Sequence, residues 1–134
     1  METQLIGVDT SSRQVADLTG AVVAFCAGKG DGLVHVFAPH ATAGVALMEL
    51  GSGSESDLIE AIGHLLPRDD RYRHRHGSTG HGADHLLPVF ISPSMVLPVF
   101  DGTVQLGTWQ SVVLVDPNLD NPVRQVRCSW LPAG

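Results

Sequence analysis

Apolar residues alternate with polar ones in parts of the chain and follow helical spacing in others. Thr3–Val8 and Leu33–Phe37 are rich in branched, partly alternating residues, which predicts two strands. Apolar residues recur at helical spacing over Glu55–Leu66, and Ser54 is a candidate N-cap for that helix. Pro67 follows directly and predicts the end of the helix.

A second helix and two shorter elements are predicted in the first fifty residues. Thr19 is a candidate N-cap for a helix over the apolar run Ala21–Cys26, and the glycines of Gly28–Gly32 end that run. Gln14–Leu18 predicts a short strand, and Val45–Leu50 is a further apolar run.

The second half begins with a long polar loop and continues as β-structure. Arg68–Gly82 contains glycine and many polar residues, which is typical of a long loop. Asp101-Gly102 predicts a hairpin turn. Four strands are predicted, at Met95–Phe100, Thr103–Leu106, Trp109–Val115 and Val123–Trp130. We therefore expect one α+β domain over residues 1–134, a mostly antiparallel or mixed sheet with two or three helices.

Charge and cysteine content exclude several classes of protein. Eight basic against 14 acidic residues give a net charge of −6, and no basic cluster suits a nucleic-acid backbone. No apolar stretch reaches the roughly 18 residues of a membrane span. Cys26 and Cys128 are too far apart in sequence for a cysteine zinc motif, so we expect reduced, buried thiols. The N-terminus lacks a basic segment typical of signal peptides, which favours the cytoplasm.

Histidine carries the main indication of chemistry. All seven histidines lie between positions 35 and 85, and four of them lie between 74 and 85. His74 and His76 share one side of the chain if their segment is extended, and His81 and His85 share one face if theirs is helical. Neutral imidazole is a common ligand of divalent metals, so this clustering predicts a metal site. A polar surface loop is the alternative that the residues alone leave open.

Other residues could complete such a site. His40 follows a predicted buried strand, in a small-residue loop that a ligand can approach. His35 and His64 lie within a strand and a helix and are interpreted as structural. Three acids could act as ligands or accept hydrogen bonds from imidazole: Glu49, Asp57 and Asp84.

Two further segments have both a structural and a functional interpretation. Arg124 could bind an anion or could lie in solvent on a strand. Gly107-Thr108-Trp109-Gln110 could form a pocket wall with polar groups, or Trp109 could anchor the core. The sequence contains neither the G-x-S-x-G elbow of serine hydrolases nor a complete phosphate-binding P-loop.

Several motifs, in order along the chain, resemble those of the YjbQ-like family. His40-Ala41-Thr42-Ala43-Gly44-Val45 resembles its H-T-[ST]-A-[GS]-[IV] motif, and Gly107-Thr108-Trp109-Gln110 matches its G-T-W-Q. Tyr72-Arg73-His74 and Asp84-His85-Leu86 resemble its two later histidine motifs. Ser94-Met95-Val96-Leu97-Pro98-Val99 is similar to its S-x-x-[IL]-P-V. The acids of a further family pattern correspond to Glu49 and Asp57.

The resemblance implies a fold, an assembly and a site. It implies an α+β homotrimer in which His40, His74 and His85 converge around a divalent metal, with zinc expected before magnesium or manganese. It also implies a secondary thiamine-phosphate synthase activity beside an unknown native reaction. Glu49 and Asp57 are the expected catalytic residues. The expected substrate-binding residues are Thr42, Thr108, Trp109, Gln110 and Arg124.

The chain departs from the family pattern at several places, one of which is the absence from Leu50–Ser54 of the Asp-Pro that often follows the glutamate. Ala41 replaces the usual threonine, and Met48 replaces an asparagine that would supply a polar pocket contact. His81 stands where asparagine or aspartate is usual and is therefore an additional candidate ligand. Pro88 interrupts a segment that is normally helical.

Two functional hypotheses follow. The first is a metal-dependent enzyme acting on a small phosphorylated or anionic substrate. Its ion would hold a pyrophosphate leaving group, Arg124 the remaining phosphate charge, and Trp109 a flat heterocycle. Glu49 is the preferred base if one is needed. The alternative is a non-catalytic trimeric module that binds a metal or small ligand, since no complete catalytic motif of a well-understood enzyme class is present.

Overall fold

Eight strands and four helices make up the chain in the computed structural model, which describes residues 1–134. The strands are β1 (Thr3–Asp9), β2 (Val15–Asp17), β3 (Gly32–Phe37), β4 (Gly44–Met48), β5 (Ser94–Phe100), β6 (Thr103–Val104), β7 (Ser111–Val115) and β8 (Val123–Pro132). The helices are α1 (Thr19–Cys26), α2 (Ser54–Leu65), α3 (His81–Asp84) and α4 (Leu87–Phe90).

The strands form two antiparallel sheets. The larger sheet has the order β1-β8-β3-β5-β6, and the smaller has the order β2-β7-β4. In the larger sheet Val34 of β3 lies opposite Leu97 of β5 and Trp130 of β8, and all three side chains are buried. The α+β class predicted from the sequence is confirmed.

Strand β7 separates two hydrophobic clusters. Val112 and Leu114 belong to the main core of 18 buried residues. Val113 and Val115 point to the opposite face and form a smaller core with Leu66, Ala83 and Leu87. Because successive side chains of a strand alternate between its faces, the apolar run 112–115 of β7 can be buried on both. The smaller core fixes α3 against the sheet; α3 begins at His81 and is followed directly by His85.

Most predicted elements are confirmed with small shifts at their ends, but the short helices α3 and α4 were not among them. Helix α3 begins inside the predicted Arg68–Gly82 loop, and Pro88 lies in the first turn of α4 and does not interrupt it, because proline is tolerated there. The hairpin turn at Asp101-Gly102 has positive φ at both residues, 49° and 71°, as a type I′ turn requires. Thr19 is not an N-cap, because it is already helical and its hydroxyl accepts a hydrogen bond from the Val112 N–H (2.8 Å). The strand predicted from Trp109 begins at Ser111, since the residues before it form a turn.

Two further expectations concern the cysteines and the membrane. Both thiols are free and buried, as predicted, and burial raises the pKa of Cys128 to about 11. None of the helices combines the length and apolar character needed to cross a bilayer.

Gly44 permits a close approach that no side chain would allow. A Cβ added there would collide with the backbone oxygen of Ile91 and lie 2.6 Å from its Cγ2 atom. Gly44→Ala is therefore expected to lower the free energy of unfolding by about 1–3 kcal/mol through overpacking. Urea unfolding of the purified variants measures this change.

Gly63 in α2 is the matched control, because a Cβ there meets no atom within 4 Å. Gly63→Ala is expected to raise the free energy of unfolding by about 0.5–1 kcal/mol, since alanine favours a helix over glycine. Equal effects of the two substitutions would contradict the close packing at Gly44.

Candidate metal centre

His81 begins the single turn of α3, and His85 directly follows it. The His85 N–H donates to the His81 carbonyl (3.2 Å), so the two side chains lie one helical turn apart on one face. Ala83 and Leu87 anchor this turn in the smaller core beneath β7. The sequence prediction that His81 and His85 share a helix face is confirmed.

His74 and His76 approach the same place from the preceding loop. Gly82 of α3 makes this possible, because a Cβ at that position would lie 2.8 Å from the His74 carbonyl oxygen. The ring of His74 has its centroid 3.9 Å from that of His76 and 4.2 Å from that of His85. The loop and α3 thus bring four imidazoles together.

The four imidazoles form what we call the histidine cluster: His74, His76, His81 and His85. One ring nitrogen from each lies within 4.8 Å of the corresponding nitrogens of the others. The Nε2 atoms of His81 and His85 are 2.8 Å apart. Donor nitrogens of a tetrahedral zinc site stand about 3.3 Å apart, so small side-chain rotations suffice for one ion to bind.

The electrostatics of the cluster favour the neutral form of His74 and His85. Burial, followed by the positive charge that neighbouring histidines would carry, lowers the pKa of both His74 and His85. Neutral imidazole is the form that binds a metal. The Nδ1 atom of His74 is buried and has no hydrogen-bond partner. A bound cation would give this nitrogen a partner by coordinating its lone pair.

The segment after β7 supplies the outer contacts of His81. Its Nδ1 atom lies 2.9 Å from the Asp120 Oδ2 atom and 2.9 Å from the Asn118 Nδ2 atom. Asp120 also accepts a hydrogen bond from the Ser78 N–H (3.2 Å), and this bond holds the pKa of Asp120 below its ordinary value. Carboxylate contacts of this type orient metal-binding histidines in proteins.

Asp84, between His81 and His85, is fully buried. Its carboxylate accepts a hydrogen bond from Asn118 Nδ2 (3.0 Å) and pairs with Arg68. Burial raises the pKa of Asp84, although both partners oppose the shift. The side chain faces these partners and so links α3 to Arg68 and to Asn118, whose Nδ2 atom also contacts the His81 ring.

A polar cavity of about 440 Å³ adjoins the histidine cluster. Its lining includes His76, His81, His85, Thr42, Asn118, Asp120 and Arg124. Arg124 is buried at one wall, where its Nε atom donates to Asp116 (2.6 Å) and its Nη2 atom to Thr42 (3.0 Å). The Thr42 hydroxyl in turn donates to Asp116 (3.0 Å). The cavity thus offers charged, amide and hydroxyl groups but only one apolar side chain, Ala41.

His40 lies outside the histidine cluster, contrary to the expected convergence with His74 and His85. Its Nε2 atom is 3.0 Å from both the backbone N and the backbone O of Gln125. Burial lowers the pKa of His40. The ring is held against strand β8, so within this chain its place in the cluster is taken by His76 and His81.

The other expected site residues divide into two groups. Thr42 and Arg124 line the cavity. Glu49 and Asp57 are exposed, at the end of β4 and in the first turn of α2, and neither lines the cavity. The same is true of the Gly107–Gln110 turn: Trp109 is 73% exposed, and the Gln110 side chain accepts a hydrogen bond from the Gly107 N–H (2.8 Å). Thr108 is exposed beside them.

Sequence reasoning missed the residues of the Asp116–Asp120 segment. Asp116, Asn118 and Asp120 connect Arg124 to His81 through a continuous series of hydrogen bonds. The segment has the composition of a turn, which conceals this role. The sequence contains one indication of this role: Asp116, Asn118 and Asp120 alternate with other residues directly after the apolar run 112–115.

Comparisons with known proteins agree with this architecture. The pattern of the family described as "UPF0047 protein YjbQ-like" matches residues 4–133. The chain is 60% identical over 131 residues to the UPF0047 protein Rv2556c of Mycobacterium tuberculosis, covering 98% of each protein. It is 33% identical to a UPF0047 protein of Methanothermobacter thermautotrophicus, covering 95% of this chain and 90% of the relative.

Solved structures show the same fold. The crystal structure of hypothetical protein APE1520 from Aeropyrum pernix K1 superimposes with a TM-score of 0.87 and 34% identity, covering 99% of this chain and 100% of that one. The crystal structure of a YbjQ-like protein of unknown function from Sulfolobus solfataricus P2 superimposes with a TM-score of 0.86 and 26% identity, covering 98% of this chain and 97% of that one.

The buried pair of Arg124 and Asp116 generates a stability prediction. Asp116→Ala leaves the guanidinium buried without its counter-charge and is expected to cost about 3–5 kcal/mol of unfolding free energy. Chemical denaturation measures the loss. Asp69→Ala, which breaks an exposed pair with Arg71 (2.7 Å), is the control and should cause no resolvable change. Similar losses in the two variants would contradict the proposed importance of burial.

Proposed function

The chain belongs to the YjbQ-like UPF0047 family, and we propose that it is a metal-dependent enzyme acting on a small phosphorylated or anionic substrate. The observation that carries the proposal is the histidine cluster, whose donor nitrogens lie within 4.8 Å of one another. All four donors are imidazole nitrogens, which suit zinc, whereas magnesium and manganese prefer oxygen ligands. Zinc is therefore the proposed ion.

The residues present fit a bound cation. The unpartnered Nδ1 atom of His74 and the lowered pKa values of His74 and His85 favour a ligand that needs nitrogen lone pairs. His74, His76, His81 and His85 would hold the ion. It would supply a Lewis acid that neutralises charge on a phosphoryl group or a leaving group.

The neighbouring cavity supports a small hydrophilic substrate. Arg124 offers its remaining guanidinium N–H groups to an anion at one wall, with Thr42 and Asn118 beside it. The secondary thiamine-phosphate synthase activity implied by the family remains part of the proposal. Glu49 is exposed and does not line this cavity, so the proposal assigns it no role as a base within its own chain.

We propose a cytoplasmic homotrimer as the working form. The outer face of the larger sheet exposes the apolar side chains of Leu33, Val96 and Phe100, which favours self-association. Contact between copies is also the route by which exposed Trp109 could reach a bound substrate. The free thiols support a reducing compartment.

A non-catalytic module that binds a metal or small ligand is the second candidate. One observation favours it: four histidines would occupy all four coordination positions of a tetrahedral zinc ion. Zinc sites with four protein ligands are usually structural. His76 decides between the two, because it is exposed whereas His81 is buried. An enzyme requires His76 to yield its position to the substrate.

Zinc binding is the first test. Alanine at both His74 and His85 is expected to abolish stoichiometric zinc binding by untagged protein, because the double variant keeps only two of the four clustered donors. Elemental analysis and titration calorimetry measure it. His64→Ala is the control, since that side chain is 82% exposed on α2 and lies outside the cluster. Full zinc content in the double variant would refute the metal site.

Turnover is the second test. Pyrophosphorylated and phosphorylated metabolites, including those with a heterocycle, would be incubated with zinc-loaded protein and followed by phosphorus NMR. We expect a product that requires zinc and is lost in His85→Ala. Saturable binding without product across the panel would contradict the enzyme and favour the binding module.

A further inference from the structure

His81 has two competing neighbours at one ring nitrogen. The Asp120 Oδ2 atom and the Asn118 Nδ2 atom each lie 2.9 Å from His81 Nδ1. The first is a hydrogen-bond acceptor and the second is a donor. In the neutral ring, Nδ1 can satisfy only one of them, so its environment selects where the single proton resides.

The orientation of the Asn118 amide is fixed by its other contacts. Its Nδ2 atom donates to Asp84 Oδ2 (3.0 Å), and its Oδ1 atom accepts from the Asp120 N–H (3.0 Å). Rotating the amide by 180° would set donor against donor at the Asp120 N–H. The conflict at His81 is therefore a property of the site and is not removed by exchanging the amide atoms.

The carboxylate is the stronger partner of His81. A hydrogen bond to an ionised acceptor is roughly twice as strong as a neutral one. An unprotonated Nδ1 atom would also direct its lone pair at the Asp120 oxygen. The proton therefore belongs on Nδ1, and the lone pair is left on Nε2, which lies 2.8 Å from His85 Nε2 inside the cluster.

We propose that Asp120 is a positioning residue: its carboxylate accepts the Nδ1 proton of His81 and presents the His81 Nε2 lone pair to a divalent ion. This inference rests on the proposed metal site and assigns a role to a residue outside the ligand set. Ser78 holds the carboxylate in place through its N–H (3.2 Å).

The tautomer is measured directly on the zinc-free protein. Long-range proton–nitrogen NMR distinguishes a ring protonated on Nδ1 from one protonated on Nε2, and His81→Gln identifies the resonances. We expect His81 to carry its proton on Nδ1. Protonation on Nε2 would overturn the proposal and assign the contact to Asn118 instead.

Zinc affinity tests the consequence for the metal. Asp120→Ala is expected to weaken zinc binding about 10- to 100-fold, as the loss of such outer contacts typically does. Asp70→Ala is the matched control, because it removes an exposed carboxylate from a cavity wall beside the same cluster. Equal affinities of the two folded variants, checked by thermal unfolding, would overturn the role of Asp120.

The two failures are distinguishable. A wild-type chain that binds no zinc would refute the proposed function, whereas an Nε2 proton on His81 would refute the role of Asp120 even in a chain that binds zinc.

Discussion

Four imidazole rings can occupy so small a volume only if they carry little positive charge among them. Burial and the repulsion between neighbouring rings lower the pKa of His74 and His85, so these two rings do not readily take up protons. Neutral rings present lone pairs and N–H groups to one another, and these groups cannot all form hydrogen bonds. The Nδ1 atom of His74 has no hydrogen-bond partner. The divalent cation that we propose would resolve this conflict, because each nitrogen could direct a lone pair at the same ion.

Strand β7 and the segment that follows it together support the cluster: the strand provides hydrophobic packing, and the segment provides the outer polar contacts. The Val113 and Val115 side chains of β7 form the floor on which Ala83 and Leu87 place α3. The chain then continues directly into the segment that carries Asp120. The hydrophobic packing and the polar contacts of His81 therefore arise from consecutive parts of the chain, so a shift of β7 would displace both together.

The sequence predicted the elements better than their meeting points. The spacing of His81 and His85 was sufficient to place both rings on one helix face, because that relation is local. His40 shows the limit: its motif resembles the family pattern, yet a contact with Gln125, 85 residues away, holds it outside the cluster. Asp120 was missed for the same reason, since its partner His81 lies in a distant part of the sequence.

The most direct test of the metal site is anomalous diffraction from crystals of zinc-loaded protein, recorded on both sides of the zinc edge. The structure predicts one strong peak per chain, about 2.0–2.1 Å from nitrogens of the clustered imidazoles. A cluster without a peak, or a peak at His40 instead, would contradict the central claim.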